Sequence, residues 1–420
     1  MEKLKILIFN DYAYIEGGTG KVAASSAIKL AQKGHEVIYF TAVSPINKNL
    51  INSKIKEIIC LDQRDILNNP SKFDAIISGI YNWRAIKRLK ELLSSWKPDI
   101  AHVHGISKAL SWPIINILHK AKIPVIFTLH DYGLLCPNLG CYNFKTENFC
   151  SLYKPKMTLK CLATNCDKRR YVHKLWRWSR YRISMDIFRI NKKISGYIAV
   201  SNYMYYFFKD YLPANKQFKI INNPINFEIN IKDDETLLED KRRFTFLYLG
   251  RLSLEKGIDI LLDAIEKVDA RLIIMGDGVM SQYCYDRARI IGQDKVLFLG
   301  WQDEDRIALE MQKCDAIVLP SRVKESAGIV IFEAAKYSLP AIVSNHGALI
   351  EFIKDGINGL YFESNNLNSL VDVMNKMINS EELTKELSKN AYEMFKKYGT
   401  DIGSHVSQLE NFYSEFLKDK

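Results

Sequence analysis

Four side chains have the types and spacing to hold a phosphorylated sugar. Arg251 and Lys256 follow an apolar run ending at Leu249, and Glu325 and Glu333, with seven residues between them, follow a second run ending at Leu319. Charged residues just past the carboxyl end of a buried strand stand where open α/β sheets bind ligands. Two cations can oppose the charge of a diphosphate, and two carboxylates can accept hydrogen bonds from sugar hydroxyls. The four together describe a site for a nucleotide-diphosphate sugar. Arg251 and Lys256 are the candidates for stabilising the leaving diphosphate.

Short apolar runs alternate with helical patterns along the chain, which predicts parallel sheets in two α/β domains. In the first half the expected strands are Lys5–Asn10, Glu36–Ala42, Asp74–Ile80, Asp99–His104, Pro124–His130 and Tyr197–Ser201, with helices over Gly20–Lys33 and Ile106–Ala121. In the second half they are Phe244–Gly250, Arg271–Gly276, Val296–Gly300, Ala316–Pro320 and Pro340–Ser344. Turn chemistry at Asn222–Asn226 and the charged stretch Lys232–Arg243 place a boundary near 225–243. The expected organisation is an N-terminal domain over 1–225 with an insertion at 132–194, a linker over 226–243, and a C-terminal domain over 244–402. A last helix lies within 403–420.

From Phe244 to Phe362 the chain resembles the C-terminal domain of family 4 glycosyltransferases. The matching pieces are Gly250-Arg251 with Lys256-Gly257, Met275 to Gly278, Phe298 to Gly300, Pro320-Ser321, Glu325 to Gly328, Phe332 to Ala334 and Asp355 to Gly359. Their number and order carry the resemblance, which no one of them would do alone. It implies the GT-B fold: two Rossmann-like domains facing each other across a cleft, with the last helix crossing back to the first domain. It also implies transfer from a nucleotide sugar with retention of anomeric configuration. Glu325 would then bond the donor sugar's hydroxyls and Glu333 the ribose, while Gly278 and the backbone at Gly328 and Ile329 line the donor site. Many relatives carry an aromatic residue where this chain has Ala327, so the sugar pocket is expected to differ.

The loop Glu16 to Gly20 follows the first strand and opens a helix, a place where backbone N–H groups can approach an anion. Gly18-x-Gly20-x-x-Ala23 spells a dinucleotide fingerprint, but the glycines lie too far beyond the strand and no ribose-binding acid closes the second strand. The resemblance assigns Gly17 and Gly18 to the diphosphate and the acceptor. It also sets His130, at the end of its strand, beside the donor sugar, with the catalytic group completed by Arg251, Lys256 and Glu325. A satisfied core histidine is the other reading of His130, and Asp131 either orients it or caps the turn after it. Asp303 to Asp305 has the spelling of a metal-binding Asp-x-Asp, but it opens a helix where acids are ordinary caps. No cofactor is expected for catalysis.

Five of eight cysteines crowd between Cys136 and Cys166. Clustering in a reducing compartment favours a metal, and structural zinc on Cys136, Cys150, Cys161 and Cys166 is the expectation, with Cys141 as a substitute ligand. Reduced thiols and partial disulfides are the alternatives. Directly after it, Lys168 to Lys193 carries ten Lys/Arg and one acid, interleaved with Trp176, Trp178, Tyr181 and Phe188. Basic residues with interfacial aromatics suit a helix on an anionic membrane, and a solvated helix face is the plainer account.

The net charge of +11 is unevenly spread: residues 1–232 hold 36 Lys/Arg against 16 Asp/Glu, and residues 233–420 hold 23 against 32. A basic first half points to an anionic partner. No apolar run approaches the ~20 residues of a membrane span, and the start of the chain has no signal-peptide pattern. The expectation is therefore a cytoplasmic protein, peripheral on the inner face of the membrane, with no nucleic-acid motif. Its partners would be a nucleotide-sugar donor, a glycan or lipid-linked acceptor in surface polysaccharide synthesis, and the anionic membrane surface. The alternatives are a soluble sugar synthase, a nucleotide-sugar epimerase, or a non-catalytic nucleotide-sugar or membrane-binding protein.

Overall fold

The computed structural model describes residues 2–153, 159–226 and 243–417. Most of the expected linker, with the charged stretch from Lys232, lies outside them. The chain divides into two compact units, one of Met1–Thr146, Cys150–Pro224 and Thr400–Lys420, the other of Glu147–Phe149 and Ile225–Gly399.

The first unit holds a seven-stranded parallel sheet. Its strands are β1 (Lys5–Asn10), β2 (Glu36–Thr41), β3 (Glu57–Cys60), β4 (Ile100–Gly105), β5 (Val125–Leu129), β6 (Gly196–Ala199) and β7 (Gln217–Ile220). Their order is β3-β2-β1-β4-β5-β6-β7, so the direction of winding reverses between β1 and β4. Near-continuous apolar runs in β1, β2 and β5 are buried on both faces, as parallel strands require. The helix Ile402–Ser414 belongs to this unit, packing Val406, Leu409 and Phe412 into the same core as Ile6, Ile8 and Leu30. Glu410 on that helix accepts from Lys33 and pairs with His35 at 2.8 Å. A Cβ on Gly196 would come within 2.5 Å of Phe416, so the glycine admits the end of the chain.

The second unit holds six parallel strands: β8 (Thr245–Leu249), β9 (Arg271–Met275), β10 (Val296–Gly300), β11 (Ala316–Leu319), β12 (Ala341–Ser344) and β13 (Gly359–Phe362). The order β10-β9-β8-β11-β12-β13 puts its reversal between β8 and β11. Ligand-binding loops of a doubly wound sheet open at that point.

Two expected elements are corrected. Asp74–Ile80 is not a strand but part of the helix Lys72–Ile80, started by Ser71, whose hydroxyl accepts the Asp74 N–H at 3.2 Å. The strand of this region is β3, which its short, half-polar sequence concealed. The helix expected over Ile106–Ala121 forms only at Ile114–Lys120. Upstream, the buried Asp11 carboxylate takes the N–H groups of Lys108, Ala109 and Leu110 at 2.6, 2.9 and 2.7 Å, and Ser111 sits at φ 71°. Those bonds hold 106–111 as a loop.

Candidate active site

In the second unit the site grows from backbone packing at the β8/β11 reversal. Gly276, at φ 139°, passes so close to the Gly250 carbonyl that a Cβ would lie 1.9 Å from its oxygen. A Cβ on Gly278 would stand 2.3 Å from Leu252 O, and Leu252 N–H donates to Asp277 O at 2.9 Å. Only glycine lets these two strand-end loops touch. Tyr248, buried in β8, donates from its hydroxyl to Arg251 O at 2.9 Å, while the Arg251 side chain reaches solvent.

Beyond Arg251 the chain makes a 3₁₀ turn over Leu254–Lys256 that ends on Gly257 at φ 70°. A Cβ there would be 2.0 Å from Pro320 O, so the turn lies against the end of β11. Arg322 fastens it, with two bonds to Asp259 at 2.7 and 2.8 Å and one to Leu254 O at 2.6 Å. Lys256 is thereby aimed at Glu325, and Lys256 Nζ donates to Glu325 Oε1 at 2.6 Å. Ser321 Oγ donates to the same oxygen. Burial pushes the Glu325 carboxyl up, but the charge and hydrogen bond of Lys256, the Ser321 hydroxyl and the charge of Arg251 together hold it below the usual range. Arg251, Lys256 and Glu325 therefore form one charged cluster. Gly328, at φ 63°, then starts the helix Ile329–Ala335, on which Glu333 is half-buried.

In the first unit Gly17, at φ 67°, begins the helix Gly17–Gln32 without a side-chain cap, and Gly17 and Gly18 are both exposed. Lys108 Nζ reaches back to Glu16 at 3.0 Å beside this turn. His130 follows β5 and is not isolated: its Nε2 lies 3.0 Å from Nδ1 of His104, at the carboxyl end of β4. His102, two residues earlier on the strand, lies between Tyr413 Oη at 2.6 Å and Thr128 Oγ1 at 2.7 Å. Asp131 does not orient His130 but accepts the Gly133 N–H at 2.7 Å. Asp303 is likewise a cap, accepting the Arg306 N–H at 2.9 Å.

Sequence reasoning passed over His104 and the Arg322–Asp259 pair, and quoted Ser321 without assigning its bond to Glu325. The alternation in β4 signals His104, since every second residue of a strand shares a face. Nothing local to 259 and 322 announces their pairing.

The basic aromatic segment is helical and partly buried. Its helix, Tyr171–Arg182, packs inward rather than lying free. Trp176 covers Gly79, where a Cβ would stand 2.5 Å from the indole, and buried Arg180 donates to Ser107 O at 2.6 Å. Arg177 stands 3.4 Å from Asp167. Lys174 is 2% exposed, and its Nζ donates to Cys161 Sγ at 3.3 Å and Cys166 Sγ at 3.1 Å. Asn138 links Cys136, which donates to its Oδ1 at 2.9 Å, with Cys166, which accepts from its Nδ2 at 3.6 Å. Among the described residues no three His, Cys, Asp or Glu side chains are grouped tightly enough to hold a metal ion.

Comparison with known proteins adds lineage to this geometry. An O-antigen chain mannosyltransferase C of Escherichia coli is 31% identical over 370 residues, covering 86% of this chain and 86% of that one. An uncharacterized glycosyltransferase of Methanocaldococcus jannaschii is 34% identical over 204 residues, which is 48% of this chain but only 54% of the relative. Among solved structures, Anabaena HepE in complex with UDP superposes with a TM-score of 0.68 at 17% identity, covering 98% of this chain and all of that one. That likeness carries the GT-B fold. The profile described as Glycosyltransferase Family 4 matches residues 16–229, and the one described as Glycosyl transferases group 1 matches residues 230–394. Two consecutive profiles covering most of the length leave one assignment: this chain belongs to glycosyltransferase family 4.

Proposed function

We propose that this chain is a retaining glycosyltransferase that moves a sugar from a nucleotide-diphosphate sugar to a glycan acceptor carried on a lipid, in surface polysaccharide assembly. The observation that carries the reading is the Arg251–Lys256–Glu325 cluster at the strand reversal of the second unit. The UDP bound in the HepE structure and the O-antigen role in the E. coli relative's name support the donor and acceptor classes.

As the bond from the anomeric carbon to the diphosphate oxygen breaks, negative charge grows on the leaving group, and Arg251 and Lys256 meet it with charge already in place. An acceptor hydroxyl then bonds to the anomeric carbon from the face the diphosphate left, and its proton passes to a leaving-phosphate oxygen. No protein nucleophile is needed. Glu325 orients the donor's hydroxyls and Glu333 the ribose.

The membrane part of the reading rests on exposed apolar side chains, Ile187 of the basic segment among them. Phe73 (71% exposed), Trp83 (66%) and Ile187 (70%), with Ile76, are exposed, and the exposed cations Lys72, Arg84 and Arg189 flank them in the sequence. Exposed apolar side chains interspersed with cations suit an anionic bilayer. No described helix is long and apolar enough to cross one.

Structural zinc on Cys136, Cys150, Cys161 and Cys166 is kept in the proposal on charge grounds alone. The thiols as placed form no metal cluster and would have to draw together around the ion. The buried Lys174 ammonium needs anionic neighbours, and metal-bound thiolates supply them. Elemental analysis finding no zinc, in protein whose thiols are all free, removes it. The transfer reading is tested by incubating the purified protein with UDP- and GDP-sugars and measuring release of the nucleoside diphosphate. NMR gives the anomeric configuration of the product.

A further inference from the structure

We infer that His104 is a positioning residue for His130: it donates from Nδ1 to His130 Nε2, fixing His130 as the Nδ1–H tautomer and leaving that N–H to meet an oxygen of the substrate. The role in turnover rests on the glycosyl-transfer reading; the tautomer does not.

The argument starts from burial. His104 is 3% exposed, and its Nδ1 stands 3.0 Å from His130 Nε2. Two neutral imidazoles that share a hydrogen bond need one N–H and one lone pair. Which ring donates is settled by the far side of His104, where Nε2 is buried with no hydrogen-bond partner among the described residues. A neutral ring carries one proton. Placed on Nε2, that proton would make a stranded buried N–H, which folded proteins rarely leave; placed on Nδ1, it leaves only an unused lone pair, which they tolerate more often. The proton therefore sits on Nδ1 and points at His130. His130 Nε2 is then the acceptor, and the ring's own proton moves to Nδ1.

Neutrality is supported independently. Burial, then His405, brings His130 down to about 3, and burial with the neighbouring histidines holds His104 well below its ordinary value. Beside the pair lie His102, whose ring centre is 4.2 Å from that of His104, and beyond it Thr128, Tyr413 and His405. None of these brings an anion that would favour an imidazolium, and the carboxyl of the adjacent Asp131 accepts the Gly133 N–H. His130 thus offers a fixed donor rather than a charge. Its matching ligand is an oxygen acceptor such as a carbonyl, hydroxyl or phosphate oxygen.

The test has two arms. In the full chain labelled with ¹⁵N at histidine, long-range proton–nitrogen correlation at neutral pH should show the His130 ring with Nδ1 protonated and Nε2 bare. An Nε2–H tautomer or an imidazolium overturns the inference, and no substrate is required. In the second arm, hydrolysis of UDP-glucose, UDP-N-acetylglucosamine and GDP-mannose is measured in variants. His104→Leu should lower kcat about tenfold with KM little changed, the worth of one hydrogen bond. His104→Asn, whose amide N–H can stand where Nδ1 stood, should recover most of it. A His104→Leu protein that melts earlier but keeps its kcat makes His104 merely structural. If the wild type hydrolyses none of the three donors, the glycosyl-transfer reading is what suffers, and the NMR arm still decides the tautomer.

Discussion

Lys256 and Glu325 form a direct ion pair, Nζ to Oε1 at 2.6 Å, although their sequence positions suggested separate duties toward the diphosphate and the sugar. The pair lies about three-quarters buried, with 24% and 21% of the two side chains exposed. Each charge is therefore partly desolvated and depends on the other. Under the proposed function an incoming diphosphate would share Lys256 with Glu325, whose bond already holds the ammonium in place.

Removing the cation should cost function far more than stability. Lys256→Ala leaves Glu325 with Ser321 and the field of Arg251, and remaining exposure softens the loss to about 1–2 kcal/mol in denaturant unfolding. Turnover of the donor should fall by about a hundredfold or more. Equal losses in both, or a near-normal rate, would contradict the assigned role.

The carboxylate partner sets an acid limit. Glu325 titrates below its ordinary value of 4.5, so its contribution is complete above that pH and is lost as pH falls through the lowered folded value. Asp11 runs the other way. Burial raises it to about 6 from 3.8, against the pull of three backbone N–H groups, so its ionised form is disfavoured in the folded chain. Its contribution is present below 3.8 and lost as pH rises through 6, by up to about 3 kcal/mol. Unfolding curves at pH 4.5 and 7 should show this slope in the wild type and not in Asp11→Asn. Identical slopes would remove Asp11 from the account.

Glycines divide into those fixed by packing and those left open. Gly276→Ala drives a Cβ to 1.9 Å from the Gly250 carbonyl and should cost upwards of about 3 kcal/mol. Gly17→Ala meets nothing within 4 Å and carries only the left-handed backbone penalty of about 1–2 kcal/mol. Thermal melts of the two variants should separate clearly, and a Gly276→Ala protein as stable as wild type would refute the close approach.

Membrane attachment should track the exposed apolar side chains rather than the buried arginines. Phe73→Ser with Trp83→Ser should weaken co-sedimentation with anionic vesicles about tenfold without lowering the melting temperature. Arg180→Glu should instead lower the melting temperature, because it places a buried carboxylate against Ser107 O. Unchanged sedimentation of the double variant counts against this surface.

How much of this was legible depends on the range of the interactions involved. Four strands of the second sheet announce themselves as short apolar runs ending at Gly250, Gly276, Gly300 and Pro320, with Arg251 and Lys256 just past the first and Glu325 just past the last. Gly359–Phe362 runs on into Glu363 and Ser364 without such a stop and was not expected. The helix Lys72–Ile80 was misread as a strand because its run Ala75, Ile76, Ile77 lacks clear periodicity, and its cap is one serine. The loop at 106–111 depends on Asp11, nearly a hundred residues away in sequence, which no local pattern reveals. The burial within the segment from Lys168 was not legible, because charge counts do not say which cations are buried. Lys174 faces thiols and Arg180 a carbonyl, both supplied by other segments of the chain.

The central claim is most directly tested by donor turnover in three proteins side by side: wild type, Lys256→Ala and Glu325→Ala, each offered UDP- and GDP-sugars. The account predicts that the wild type releases a nucleoside diphosphate from one of these donors, while both folded variants release it at least about a hundredfold more slowly. Release at wild-type rates from either variant, or from none of the proteins with any donor, would contradict it.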